Sequence, residues 1–547
     1  MGDLWTAYVG GDPPYGGLAP FFTHRPGDWA SATKARDRAA TEPLDAAAIR
    51  ETVGANERWG VHPSVVERIA QLGLSETRVI ATGQQAGLLG GPLLTLYKAI
   101  AAVRWAERLE RDLGVPVVAV FWVASEDHDL DEVRSFRWRD AEDAWQEFTY
   151  RPAQHRPGMP IHDVAVEPVL RDDLEEIFAR VRQSEFTAVL AERLDAIASE
   201  ASDLEGFFVA ILAWLLGERA PVFVSPRMRW VRRGAAALLD QELAQPGESS
   251  SRVIEAGNRL SALHFRPQLR RRPEQVNCFV HYEGLRHRIT IGGGTLEITA
   301  PTGERWKVGT DRLRADLASE PDSFSLNVVT RPIVQDYLLP TLAYLAGPGE
   351  VGYFAQMRGV YELFDVPMPM LLPRPRVCLI EPRAERALAR LGVAVEPAVA
   401  QSADRFEVLI EQASRQAPVE ERLDAAQRRM NEAVEFIGSR VDLTDPAIAR
   451  SFQKLTGMVE TGLEKLAERQ RRAALSANAE KMRAVAAVRE LLWPDGLPQE
   501  RALTIFFPFL NLFGECLVKR LAETIRLDAT DIQPIVLSSL MGGQGKT

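Results

Sequence analysis

The chain has 547 residues, and 65 basic against 75 acidic side chains give a formal charge of −10. That acidic balance argues against a general nucleic-acid binder, while 46% hydrophobic and 26% charged residues describe a globular chain with room for several domains and a large core. Three cysteines, Cys278, Cys378 and Cys516, lie too far apart for a disulfide framework or a metal knuckle and fit a reducing compartment.

No stretch approaches the roughly 18 uninterrupted apolar residues of a membrane helix, and the run from Phe506 to Leu510 is broken by Pro508. The start, Met1-Gly2-Asp3-Leu4-Trp5, lacks the basic and then apolar regions of a signal peptide. The expectation is a cytoplasmic protein without a membrane segment.

Arg78-Val79-Ile80-Ala81 reads as a strand, followed by a glycine-rich loop and a helix from Leu93 to about Leu109. Val117 to Val123 is a continuous apolar run, as expected of a strand covered on both faces in a parallel sheet. Strand, helix and strand at this spacing make a βαβ unit. Pro221 to Val224, after a helix around Phe207 to Leu216, and Leu342 to Ala346, before a helix from Val351 to Phe364, read as further buried strands. The fold class predicted is α/β, a Rossmann-like, doubly wound parallel sheet over residues 1–380. Insertions are expected at about 135–205 and 226–320, the second containing hairpin-like strands from Val276 to Tyr282, Arg286 to Ile291 and Thr295 to Thr299.

From about residue 381 to 495 the chain turns helical. Leu423, Met430 and Ile437 stand at heptad spacing, and Asp445-Pro446 reads as an N-cap and first helical residue. Ile448, Phe452, Leu455, Val459, Leu463 and Leu466 follow at intervals of three and four, a narrow apolar seam that predicts an antiparallel coiled-coil arm. Residues 496–547 are expected to return to the core.

Two loops carry the candidate chemistry. Thr82-Gly83-Gln84-Gln85-Ala86-Gly87, running on to Gly91-Pro92, follows a strand and opens a helix, where backbone N–H groups and the helix dipole accept anions. Gly83 and Gly87 would allow positive φ and close approach of a ligand, and Lys98 could extend its ammonium toward a phosphate. Glu126-Asp127-His128-Asp129 closes the most apolar strand, at the edge where open α/β sheets take their ligands. Three carboxylates beside one histidine predict a general base with a raised pKa, unless the cluster is an acidic turn capping a helix at Asp131-Glu132.

Gly347-Pro348-Gly349-Glu350-Val351-Gly352 matches a dinucleotide fingerprint in letters only. Pro348 and Glu350 suit a substrate-facing loop better, with Glu350, Tyr353 and Gln356 as polar contacts. Asn327 and Arg331 lie at a strand end, and Arg331 suits a carboxylate or phosphate. The closing Gly542-Gly543-Gln544-Gly545-Lys546-Thr547 imitates the end of a P-loop, but Leu540 stands where its first glycine belongs and no helix can follow.

These segments, with Tyr97-Lys98, Arg331-Pro332, Gln335-Asp336, Pro340-Thr341 and Gln499-Glu500-Arg501, occur in an order that resembles the bacillithiol biosynthesis cysteine-adding enzymes (BshC). Leu94 stands where that family usually has an aromatic, and Phe513-Gly514 where Tyr-Gly is expected. The resemblance implies a core akin to nucleotidyltransferases and a coiled coil that makes a homodimer. It also implies addition of cysteine to glucosaminyl-malate, an amide-forming carbon–nitrogen ligation. On that reading Thr82, Gly83, Gln84, Gln85 and Lys98 would hold phosphate or nucleotide, ATP being the expected activator. Glu126 and Asp127 would hold the substrate ammonium or Mg²⁺, and His128, oriented by Asp129, would take the amine's proton. Arg331 would bind a carboxylate, with Asn327, Gly347, Glu350, Tyr353 and Gln356 around the substrate. A metal-assisted hydrolase using the Glu-Asp-His-Asp loop and a non-catalytic nucleotide-binding coiled-coil scaffold are the rival readings.

Overall fold

The structure is a computed structural model and is described for residues 4–10, 17–38, 41–400, 406, 408, 418–476 and 479–542. The P-loop-like end beyond Gly542 and the side chain of Leu423 lie outside the described residues. Fourteen strands occur among the described residues: β1 (Arg78–Gln84), β2 (Val117–Val123), β3 (Ser135–Arg139), β4 (Trp145–Thr149), β5 (Val222–Val224), β6 (Gln275–Tyr282), β7 (Leu285–Gly292), β8 (Thr295–Thr299), β9 (Arg305–Val308), β10 (Phe324–Leu326), β11 (Thr341–Ala346), β12 (Met370–Pro373), β13 (Arg376–Ile380) and β14 (Ile532–Val536). The chain divides into two compact units, Met1–Arg376 with Leu503–Asp531, and Val377–Ala502 with Ile532–Thr547.

The first unit is built on a sheet in the order β12-β11-β1-β2-β5, parallel throughout. The chain runs outward from β1 through β2 to β5, then returns to the other side of β1 for β11 and β12. This is a doubly wound order, and its switch point lies between β1 and β11. All seven residues of β2 are buried, which accounts for its unbroken apolar run. Helix Leu93–Leu113 links β1 to β2 and runs one turn past the expected end, closing on Gly114 in the left-handed region. The predicted helix from Val351 to Phe364 is two helices, Pro348–Phe354 and Arg358–Leu363.

The expected hairpins are present as an antiparallel sheet ordered β10-β6-β7-β8-β9. Its β10 edge places Ser325 and Leu326 beside the loop that follows β2, since the Leu326 N–H donates to Glu126 Oε2 at 3.1 Å. In the C-terminal part of this unit Phe506, Phe507, Phe509 and Leu510 are buried. Phe507 packs against Phe136 and Phe178 with ring centroids 5.6 and 5.1 Å apart.

Glycine serves this loop differently from the sequence expectation. Positive φ falls on Leu89, Gly90 and Gly91, whereas Gly87 has φ −84° and Gly83 is a strand residue. A Cβ on Gly83 would stand 2.6 Å from the Trp122 carbonyl oxygen, so the close neighbour of Gly83 is the adjoining strand. Gly83→Ala is therefore expected to destabilise by about 1–3 kcal/mol, the range for overpacking, and urea unfolding of the purified variant measures it.

The second unit contains β13 paired with β14 and a helical hairpin, Pro418–Gly438 and Pro446–Ser476, followed by helix Ala479–Leu492. Asp445 caps the second helix as expected, its Oδ1 accepting from the Ala447 and Ile448 N–H groups at 2.7 and 3.3 Å. Phe452, Val459 and Leu463 are half-buried, while Ile448, Leu455 and Leu466 stay exposed. Gln499 brackets β13 by accepting from the Leu379 N–H at 2.8 Å and donating to the Leu379 carbonyl at 3.0 Å. Glu500 accepts from the Val377 N–H at 3.2 Å. The Gln499-Glu500 motif thus fastens a strand. Among the described residues no helix is long and apolar enough to cross a membrane.

Candidate active site

Because β1 and β2 are parallel neighbours, the loops after them emerge at the same edge of the sheet. They are tied directly. The Gln85 amide donates to Asp127 Oδ2 at 2.8 Å and to Glu132 Oε2 at 2.7 Å. Asp127 Oδ1 accepts the N–H groups of His128 at 2.7 Å and Asp129 at 3.3 Å, a local turn that Asp side chains favour. Where a helix was possible at Asp131-Glu132, there is one 3₁₀ turn, Leu130–Glu132, leading into β3.

Two arginines from the inserted segments back this loop, and the motif-based reading named neither. Arg232, on helix Arg229–Ala244, forms an ion pair with the buried Glu126 carboxylate. Arg286, on β7, sits over the Phe279 ring with its Cζ 3.9 Å from the centroid. Its Nε donates to Ser325 Oγ at 3.2 Å, its Nη2 to the Leu326 carbonyl at 2.6 Å and its Nη1 to His128 Nδ1 at 3.1 Å. Burial pushes the Glu126 carboxyl up, against the pull of Arg232, Arg286 and the Leu326 N–H. The His128 side chain is 42% exposed.

The raised pKa expected for His128 is overturned. Partial burial and the Arg286 charge hold its imidazole below 6.5, with Arg288 adding to them, and Asp127 and Asp129 only partly offset this. Asp129 is not the group that orients the ring; the contact to Nδ1 is Arg286.

A second cluster fills the switch point between β1 and β11. Successive residues of an extended strand face opposite ways, so the two glutamines part: Gln85 reaches Asp127, and Gln84 Oε1 accepts from Lys98 Nζ at 3.1 Å. Lys98, only 2% exposed, also donates to the Gly83 carbonyl at 2.9 Å and pairs with Glu350 Oε2 at 2.7 Å. Glu350 further accepts from the Gly347 N–H at 2.8 Å and the Tyr344 hydroxyl at 2.9 Å. Burial opposes ionisation of Glu350, but Lys98, the Gly347 N–H and the Tyr344 hydroxyl outweigh it and hold the carboxyl below its ordinary value. Arg331 lies over the Tyr344 ring and donates to the Tyr353 hydroxyl and Gln335 Oε1, both at 3.2 Å.

Three of the predicted contacts are turned to other tasks. Thr82 is fully buried and donates to the Leu345 carbonyl at 3.3 Å, stapling β1 to β11. Asn327 caps its own turn, accepting from the Val329 and Thr330 N–H groups, and donates to Asn277 Oδ1 at 3.0 Å. Gln356 is 1% exposed, and its amide bridges the Leu269 N–H, the Leu269 carbonyl and the Val253 carbonyl.

Much of the donor capacity of the glycine-rich loop is spent within the protein. Its N–H groups at Gly87, Leu88, Gly91, Leu93 and Thr95 already donate to carbonyls of Gln85, Val133, Leu88, Leu503 and Pro92, and Lys98 is committed to Glu350. The acidic loop is engaged likewise, since Glu126 serves Arg232 and Leu326 while Asp127 serves Gln85 and two backbone N–H groups. Among the described residues no group of three or more His, Cys, Asp or Glu side chains is arranged to hold a metal ion.

Comparison with known proteins gives this arrangement its family. The profile described as "Bacillithiol biosynthesis BshC, N-terminal Rossmann-like domain" matches residues 3–375, and "Bacillithiol biosynthesis BshC, C-terminal coiled-coil domain" matches residues 377–531. The chain belongs to the BshC family. Curated relatives named "Putative cysteine ligase BshC" include one from Salinibacter ruber, 29% identical over 97% of this chain and 96% of the relative. Another, from Heliobacterium modesticaldum, is 32% identical over 84% of this chain and 83% of the relative. A third, from Geobacillus thermodenitrificans, is 30% identical over 85% and 86%. Membership makes the chain an enzyme of bacillithiol biosynthesis of the ligase class.

Proposed function

We propose that the chain joins the carboxyl group of L-cysteine to the amine of glucosaminyl-malate in the cytoplasm, forming the amide of bacillithiol. One observation carries the reading to these residues. The Gln85–Asp127 hydrogen bond unites the two family-ordered loops at the edge where doubly wound sheets bind ligands.

An amine does not displace a carboxylate unaided, so the cysteine carboxyl must first be activated. ATP, with its usual Mg²⁺, is the proposed co-reactant: it would turn the carboxyl into an acyl phosphate with release of ADP, or an acyl adenylate with release of pyrophosphate, so that phosphate or AMP departs as the C–N bond forms. The side chains already have recognisable work for the rest of the reaction. Arg331, held by Tyr353 and Gln335, offers guanidinium N–H groups to a substrate carboxylate. The Lys98–Glu350 pair fixes the Gly347 turn against the end of β1. His128, partly exposed and in contact with Arg286, is the group we assign to the reacting carboxyl.

The test is direct. Purified protein is incubated with cysteine, glucosaminyl-malate and ATP, and the amide product is scored by mass, with a parallel reaction lacking ATP. A new thiol of the expected mass supports the reading, and ATP dependence supports the activation. No amide from any tested sugar-malate acceptor would overturn it. A homodimer through the helical arm is proposed as well. Exposed apolar side chains along it, Phe436, Met458 and Leu466 at 61%, 63% and 53%, support that assembly. Light scattering is expected to give twice the chain mass of 60.7 kDa.

A further inference from the structure

We infer that Arg286 is a positioning residue that fixes His128 as a neutral hydrogen-bond donor at Nε2, so that His128 steadies negative charge on the reacting carboxyl instead of removing the amine's proton. The inference deepens the proposed ligation and rests on it for the identity of the reacting group.

The argument begins with what a guanidinium can do. Arginine has five N–H donors and no acceptor. Its Nη1 lies 3.1 Å from His128 Nδ1, so Nδ1 must be the acceptor and carries no proton. In a neutral imidazole the proton then sits on Nε2. Arg286 cannot readily turn away, because Ser325 Oγ, the Leu326 carbonyl and the face of Phe279 hold the other parts of the guanidinium. Asp127 Oδ1 is 3.7 Å from Nδ1 and is already occupied by the N–H groups of His128 and Asp129. The opposite tautomer therefore has no acceptor in place to stabilise it. The ring stacks edge-on to Phe279 at 5.9 Å, which fixes its plane.

The charged groups around the ring agree with this state. Arg286 and Arg288 disfavour the imidazolium, while Asp127 and Asp129 favour it and do not prevail. With Nδ1 occupied and Nε2 protonated, neither nitrogen has a free lone pair, so the ring cannot serve as a base without losing its contact to Arg286. It can offer a preorganised N–H. During ligation the C–N bond forms, oxygen gains negative charge, and the C–O bond to the leaving group then breaks. The amine's proton leaves to solvent or to the departing anion. Neutral imidazole donors of this kind stabilise oxyanions in other enzymes.

Nitrogen-15 spectra of histidine-labelled full-length protein read the tautomer without substrate. The wild-type His128 resonances, assigned by their absence in His128→Gln, are expected to show an unprotonated Nδ1 and a protonated Nε2 above the ring's titration. An Nδ1–H tautomer overturns the inference whatever the variants do. Arg286→Met is expected to give a mixed tautomer, a titration midpoint moved upward, and a lower kcat with little change in KM. An unchanged tautomer in that variant also overturns it. In the product assay His128→Gln keeps an amide donor but no base, and is expected to retain at least tenfold more activity than His128→Ala. Equal loss in the two, in folded proteins, counts against the donor role. Absence of product from the wild type with the predicted tautomer present would sink the ligase reading and leave the Arg286–His128 assignment standing.

Discussion

Replacing His128 with alanine is expected to lower kcat for thiol formation by about 10²–10³-fold, the loss typical of one preorganised donor to an oxyanion. Stability should change little, because the side chain is 42% exposed and the ring supplies one acceptor to a guanidinium that three other partners hold. The two consequences separate a catalytic from a structural role. The measurement is steady-state product formation beside thermal unfolding of the same preparation. Wild-type kcat in the variant would remove His128 from the chemistry. A fall in unfolding temperature matching the fall in activity would make it a structural residue.

How far the site was legible in the sequence depends on where each partner comes from. β2 was readable because a strand buried on both faces has no polar side to hide its signal, and Val117–Val123 is such a strand. The two loops were readable because they sit at the ends of that strand and its neighbour. What surrounds them was not. Arg286 reaches His128 across 158 positions, and Arg232 reaches Glu126 through a fold of inserted segments. A faint signal existed for Arg232. It occupies the same helix face as the buried Val231, Ala235 and Leu239, a stripe where an unpaired charge would be costly. Arg286 sits at a buried position of a strand, which carries the same message. Gly83 was misread for a different reason. A glycine needed by a ligand and one needed by a neighbouring backbone look alike in sequence, and only the register placing Gly83 opposite Trp122 tells them apart. The histidine's pKa direction was misjudged on the same ground, since the acids are adjacent in sequence and the arginines are distant.

Glu350→Gln is expected to destabilise the first unit by about 3–5 kcal/mol at neutral pH, because breaking a buried ion pair leaves the other charge unpaired. Lys98, 2% exposed, would keep only uncharged acceptors, among them the Gly83 carbonyl and Gln84 Oε1. Glutamine can still accept from the Gly347 N–H through its amide oxygen and turn its NH₂ toward the Tyr344 hydroxyl oxygen, so the loss reports mainly the charge. The double variant Lys98→Met with Glu350→Gln removes the stranded ammonium and should recover most of the stability, which a urea-unfolding cycle of the four proteins would show. Acid dependence gives an independent check. Glu350 is held below its ordinary carboxyl value of 4.5, so the stability it contributes is present above that pH and is lost as pH falls through the folded-state value. The glutamine variant should lack that part of the acid loss. Thiol formation is expected to stay low in the double variant even where stability returns. The pair spans the switch point between β1 and β11, and methionine at position 98 fills the space without donating to the Gly83 carbonyl and Gln84 Oε1. Full activity in a stable double variant would reduce Lys98 and Glu350 to packing.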